Sequence, residues 1–347
     1  MTQTLNCTTN FIQVNGQVTL VDNSIPGVEI MPLSQGLEEC QEIREAFGSV
    51  FNYLEKPFPQ KPVGGYLIWV KAEAQVENPI QTCFYLTENG FAQFPHNLIL
   101  VEQGASVQVV NMCSDQACGA GGVHSGCTEL VVRKGGRLNY TMVHSWNPEI
   151  VVRPMTGAMV EEDGQLQSSF ISFKPTKSVK MNPTTVLKGA RSRALSRSVI
   201  FSADKSSQDV GSRIILEGEQ SQGEISSHTV CATGEVTTRG YLEARGKDVK
   251  GHLECHGLIL NSGAKIHSIP ELLSNQNESE LSHEASIGRL NPEQIEYLQS
   301  RGLSYTQALN LLLRSFLSTT EIQLPASFAA EIEQMKQFAL EGIFNDI

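Results

Sequence analysis

From about residue 66 to residue 285 the chain is a succession of short runs that alternate apolar with polar residues, with no helical period of any length. The runs include Tyr66-Leu-Ile-Trp-Val70, Leu98-Ile-Leu-Val101, Ser106-Val-Gln-Val-Val110, Glu129-Leu-Val-Val132, Leu138-Asn-Tyr-Thr-Met-Val143, Ser198-Val-Ile-Phe201 and Arg213-Ile-Ile-Leu216. A period of two is the signature of strands that bury one face. Small-residue turns such as Gly104-Ala105, Gly135-Gly136 and Gly189-Ala190 separate them, and Gly211, Gly223, Gly234 and Gly246 recur at intervals of 12, 11 and 12 residues. Evenly spaced short strands with recurrent glycines point to a β-solenoid or a sandwich. If each interval is one side of a coil, the coil takes roughly 20 to 25 residues.

Helical patterns flank this region. Leu37, Cys40, Ile43, Phe47, Val50, Phe51 and Leu54 repeat at three- and four-residue spacing, which predicts an amphipathic helix over 36–55. Pro57, Pro59, Pro62 and Gly64-Gly65 end it. At the other end, Asn291 is placed to cap a helix that has Pro292 in its first position, and Gly302 stops it. Ser304 and Gln307 form a capping box for a second helix lined by Leu309, Leu312, Leu313 and Phe316. Pro325 precedes a third, striped by Phe328, Ile332, Met335, Phe338 and Ala339. The expected organisation is an N-terminal segment over 1–62, a β core over 63–288 and a helical region over 289–347, with some of the helical apolar surface left for a partner.

Composition narrows the function. The formal net charge is -11, against a nucleic-acid footprint, and Arg191, Arg193 and Arg197 read as a solvated face. No apolar run approaches the ~18 residues of a membrane span. The N-terminus has neither a basic nor an apolar signal region, so a cytoplasmic protein with reduced thiols is expected. None of the eight cysteines forms a C-x-x-C pair, and Cys113, Cys118 and Cys127 match structural zinc spacing poorly. There is no phosphate-binding G-x-x-x-x-G-K-[ST] loop and no G-x-S-x-G nucleophile elbow.

Cys255 lies in the run Gly251-His-Leu-Glu-Cys-His-Gly-Leu-Ile-Leu260. In a strand His252, Glu254 and His256 share one face, and Leu253 and Cys255 the other, so the two histidines do not flank the thiol. His283 and Glu284 are adjacent and face opposite ways in a strand. A buried inert cysteine and a surface His–Glu pair are the plain alternatives to a site.

These residues carry a resemblance. Cys255 with Gly257-Leu-Ile-Leu260, then Gly263-Ala264, His267 and Pro270-Glu271, then Ser282-His-Glu-Ala-Ser-Ile-Gly288 and Gln294-x-x-Tyr297-Leu-Gln-Ser-Arg-Gly302, resemble the B and D scaffold subunits of the Suf iron–sulfur cluster assembly system. The family pattern is roughly H-[EG]-A-[ST], then E-[DE]-Q-[LI]-F-Y-L-x-x-R-G; Glu296 stands where that pattern has Phe. The resemblance spans about residues 60 to 345 and is strongest in the C-terminal third.

The resemblance implies a mainly β fold: a right-handed parallel β-helix between N- and C-terminal helical segments. It implies a scaffold without independent turnover that docks an ABC-type ATPase, the Suf C subunit, on its C-terminal helices, so that ATP acts only through that partner. It also implies a dimer of scaffold subunits meeting near their C-terminal coils, and for this compact chain a homodimer. B-type subunits carry a cysteine, a histidine and a glutamate at the positions matching Cys255, His283 and Glu284, and D-type subunits lack the cysteine and the glutamate. Cys255 is then the sulfur acceptor and, with His283 and Glu284, a ligand to the iron of a transient iron–sulfur cluster. The sulfur comes from a cysteine desulfurase or another donor, and Cys113 is a weaker match to a second cysteine at which sulfur enters. Thiolates suit iron–sulfur clusters, and a shell completed by His and Glu should hold one loosely enough to release. Two other readings are a D-like subunit that docks the ATPase without holding a cluster, and a β-helix enzyme acting on polysaccharides.

Overall fold

The computed structural model describes residues 9–115, 121–174, 176–203 and 206–318. They form a parallel β-solenoid of about seven turns, built from a 10-stranded and a 13-stranded sheet. Antiparallel pairing enters at its start, where Phe11–Val14 pairs with Gln17–Val21 and Val28–Pro32 with Tyr66–Val70. From residue 207 onward the strands are uniform. Ser207–Leu216, Gln222–Cys231, Glu235–Ala244, Lys250–Ile259, Lys265–Ser274 and Glu280–Arg289 each have 10 residues and alternate between the sheets.

The coil is longer than the glycine spacing predicts. Phe84 pairs with Cys113 and Cys113 with His144, while Ser227 pairs with Cys255 and Cys255 with Ala285, offsets of 29, 31, 28 and 30 residues. The glycines do not mark successive corners: Gly211 and Gly223 lie within strands, and Gly234 and Gly246 between them. Only Gly234 of the four has the left-handed backbone, at φ 86°, that favours glycine at a turn.

Inward-facing residues of both sheets fill the lumen with one continuous core, from Phe11, Tyr66 and Phe84 to Leu242, Leu253 and Cys255. Because the strands are parallel and in register, each inner position stacks on its equivalent one coil away, so the alternation in sequence becomes a set of columns.

Two helical layers cover the outer faces. The predicted helix over 36–55 is three short helices, Leu33–Glu39, Gln41–Ala46 and Ser49–Tyr53. Cys40 is extended at φ −128° and Gly48 left-handed at φ 73°, which breaks the run while keeping its apolar face continuous. Leu33, Ile43, Ala46 and Val50 pack with Leu67, Leu98, Leu100 and Val131. At the C-terminal side, Asn291 accepts a hydrogen bond from the Glu293 amide and Pro292 opens the Pro292–Ser300 helix. Ser304 and Gln307 cap each other reciprocally at 3.2 and 2.9 Å before the Tyr305–Ser318 helix. That helix lays Leu309, Leu313 and Leu317 against Val230, Leu258 and Phe201, each leucine contributing about 2 kcal/mol by burial. The third helix predicted after Pro325 lies outside the described residues. Among those residues no helix is long and apolar enough to cross a membrane.

Candidate functional site

Cys255 sits in the penultimate strand of the first sheet and points into the lumen, 3% exposed. The alternation read from sequence holds: Leu253 and Cys255 are buried, and His252, Glu254 and His256 are partly exposed. Gly240, from the opposite wall, leaves the space that Leu253 fills; a Cβ there would meet its side chain. Burial raises the Cys255 thiol above its ordinary pKa, while hydrogen bonding with Ser268 and Thr238 of the facing sheet pulls it back down and Glu254 adds to the rise. In this conformation burial favours the protonated thiol.

His283 pairs with Leu253, and Ala285 with Cys255. His283 therefore leaves the sheet on the same side as the thiol, one strand further out and offset by two residues. Strand spacing and rise put the two backbone positions about 8 Å apart. His283 is exposed because, among the described residues, its strand is the last of the sheet and nothing lies beyond it. The structure thus brings Cys255 and His283 to one side at the open end of the solenoid.

Glu284 departs from them. It pairs with Glu254 and belongs to the outer face. There His252 Nδ1 meets Ser282 Oγ at 2.9 Å, His256 Nδ1 meets Ser286 Oγ at 2.9 Å, and His256 Nε2 meets Glu254 Oε1 at 2.5 Å. The His228 ring lies 5.1 Å from that of His256, and Phe316 of the Tyr305–Ser318 helix lies 5.6 Å from His228 on another side.

Two groups of three potential metal-ligating side chains have donor atoms within 4.8 Å of one another among the described residues: Cys113–His124–His144 and His228–Glu254–His256. Neither contains Cys255, His283 or Glu284. Sequence reading missed both, because, apart from Glu254 and His256, their members lie 11 to 31 positions apart and meet only through the coil register. The signal was the offset itself: His228 to His256 is one coil, as is Cys113 to His144. Cys113 is 1% exposed, and burial pushes its thiol well above the usual pKa. Cys118 lies outside the described residues.

A groove of about 780 Å³ runs along the outer face of the first sheet past Gln108, Arg137, Gln167, Arg193, Glu224 and His252. Its carboxylates are Glu77, Glu224 and Glu280, and the last two are two strands and two residues apart, about 12 Å between backbones by strand geometry.

Residues 84–316 match the model for "SUF system FeS cluster assembly, SufBD core domain". The chain is 36% identical over 282 residues to an iron–sulfur cluster assembly SufBD family protein of Methanothermobacter thermautotrophicus, covering 81% of this chain and 69% of the relative. It is 34% identical over 333 residues to a SufBD family protein of Archaeoglobus fulgidus, covering 95% and 89%. It is 28% identical over 331 residues to the iron–sulfur cluster assembly protein SufB of Bacillus subtilis, covering 92% and 70%. A parallel β-solenoid with a thiol and an imidazole on one side of its last coils is thus of the class that serves iron–sulfur cluster assembly. The chain belongs to the SufBD family of the SUF system.

Proposed function

We propose that this chain is a B-like scaffold on which a cluster is assembled at the open C-terminal end of the solenoid, between two copies of the chain. The observation that carries the reading is the placement of Cys255 and His283 on the lumen side of the last two strands of the first sheet. The cluster is cargo here, and the donor set suits temporary custody. Each chain offers one thiolate and one imidazole from the inner face, and Glu284 from the outer face at the same edge. Because Glu284 faces away from the other two within one chain, a shell using all three draws on both copies.

The edge itself supports pairing. Among the described residues Lys265–Ser274 and Glu280–Arg289 are the terminal strands, each ten residues long, and they expose Leu272, Leu273 and Ile287. An uncovered strand edge of this length is a template for another strand. A second copy is the partner that places a second Cys255 at the same seam.

Sulfur loading at Cys255 follows ordinary thiol chemistry. The thiolate attacks the sulfane sulfur of a donor persulfide, such as that of a cysteine desulfurase; the new S–S bond forms on Cys255, and the donor leaves as its thiolate. Cys113 is the weaker candidate for sulfur entry, since it is sealed in the lumen. The ABC-type ATPase docks on the helical region, where Tyr297, Tyr305 and Leu311 are exposed, and its nucleotide cycle moves the seam. The protein itself has no turnover in this reading, and it works in the cytoplasm.

Anaerobic reconstitution with iron and sulfide, followed by visible absorption, tests the site. The wild type is expected to show a cluster band that Cys255→Ala and His283→Ala abolish. A wild type without a band, under conditions where another scaffold gives one, would favour a D-like subunit that docks the ATPase without holding the cluster.

A further inference from the structure

The lumen holds a second constellation, far from the open end. Cys113 and His144 are neighbours in one inner column of the first sheet, paired in register. His124 comes from the short strand Gly122–His124 of the other sheet and faces them across the lumen. All three are buried, at 1%, 1% and 3% exposure.

Two features set this group apart from packed core. First, neither ring nitrogen of His144 has a hydrogen-bond partner, and the Trp146 indole N–H beside it has none either. Leaving such groups unpaired costs about 1–3 kcal/mol each. Second, His124 is held in one tautomer. Gln93 Nε2 donates to the Asn15 carbonyl at 2.6 Å, which turns Gln93 Oε1 toward His124 Nδ1 at 2.9 Å. An amide oxygen only accepts, so Nδ1 carries the proton and the Nε2 lone pair is free. Orientation of an imidazole through its other nitrogen is how proteins prepare metal ligands.

We propose that Cys113, His124 and His144 form an internal site for one first-row divalent metal ion of borderline softness, iron or zinc. One thiolate and two neutral imidazoles suit such ions. Both rings are buried, which favours the neutral imidazole that a metal ion needs. Binding displaces the Cys113 proton, and the bare ion occupies the position that the His144 nitrogens leave unpaired. A water in the fourth position completes a tetrahedron, with the Trp146 N–H as an available donor. An ion held here ties together the Ser106–Asp115, Gly122–His124 and Arg137–Ser145 strands, hence both walls of the solenoid. Five ladder steps, about 24 Å, separate it from the Cys255 coil, so it does not depend on cluster assembly there.

Cobalt(II) is the probe, added anaerobically to the full-length Cys255→Ala protein, both folded and during refolding from denaturant. The expected result is one Co2+ per chain with a thiolate-to-cobalt charge-transfer band and the intense visible bands of four-coordination. Cys113→Ser should remove the charge-transfer band, and Gln93→Leu, which removes the hydrogen bond to His124 but no ligand, should weaken binding about 10–100-fold. Zn2+ should displace Co2+ at lower concentration than Fe2+ does. The outer His228–Glu254–His256 group contains no sulfur, so occupation there gives no such band. X-ray absorption of the zinc-loaded protein covers the case in which a variant misfolds: one sulfur at about 2.3 Å and two nitrogens at about 2.0 Å are expected. An all-oxygen and nitrogen shell, absence of the thiolate band, or a band that survives Cys113→Ser overturns the proposal. Because the test is run without the Cys255 thiol, a protein that fails to build a cluster can still pass it.

Discussion

Glu284 stands directly beside Glu254 on the outer face of the last two strands of the first sheet, while Cys255, one residue further along, points into the lumen. Two carboxylates in register on neighbouring strands repel, at a cost on the order of a few tenths of a kcal/mol. Glu254 has a compensating partner in His256 at 2.5 Å, whereas the Glu284 side chain has no hydrogen bond or ion pair among the described residues. Glu284→Gln is therefore expected to leave the melting temperature unchanged or slightly raised. If Glu284 serves the cluster, the same variant loses cluster yield on anaerobic reconstitution. A fall in both would mean that Glu284 supports the fold instead.

The column that holds Cys255 ends in Ala285, the smallest side chain that could stand between the thiol and the open end. Ala285 is exposed, so a larger residue there causes no clash in the core. Ala285→Leu is expected to slow alkylation and persulfide loading of Cys255 severalfold, read by mass spectrometry of the Cys255 peptide, with circular dichroism unchanged. Equal rates in the two proteins would show that reagents reach the thiol by another path.

What the sequence made legible follows from local periodicity. The strand alternation around Cys255, the opposed faces of His283 and Glu284 and both C-terminal caps depend on residues within a few positions of each other, and all are present. The coil length was not legible, because glycines within strands and glycines between strands look alike. The early strands from Phe11 to Pro32 were missed for a similar reason: they are short and pair with distant residues such as Thr82 and Trp69. The internal Cys113–His124–His144 group depends on coil length and on which turn faces which wall, information that no local window contains.

Glu129 shows how the N-terminal helices are fastened to the solenoid. Its carboxylate is fully buried and accepts from the Gly48 and Val50 amides at 2.8 and 3.2 Å, with His96 Nε2 at 3.0 Å. These contacts satisfy N–H groups at the start of the Ser49–Tyr53 helix that have no partner within it. Glu129→Ala strands two amides and an imidazole in the core, a loss of about 3–5 kcal/mol. A clear drop in the urea midpoint is expected, together with proteolytic sensitivity around residues 33–53. Glu129→Gln, which keeps an acceptor, should fall between the two.

His228 gives stability a pH dependence at the opposite side. It is 6% exposed, packed edge-on to Phe316, and its Nδ1 has no hydrogen-bond partner. Burial is the main cause that lowers its pKa; His256 and Arg197 add to the lowering, and Glu254 opposes it. In the unfolded chain a histidine titrates near 6.5. As pH falls from there toward the lower folded value, the unfolded state binds the proton first, so stability is fully present above about 6.5 and declines below it. The decline should be felt at the Tyr305–Ser318 helix, whose Leu313 and Leu317 lie in the same outer layer. Thermal melts at several pH values between about 5 and 7.5 should show the wild type losing stability toward acid, with a shallower slope for His228→Gln. Identical slopes would place the acid-sensitive group elsewhere.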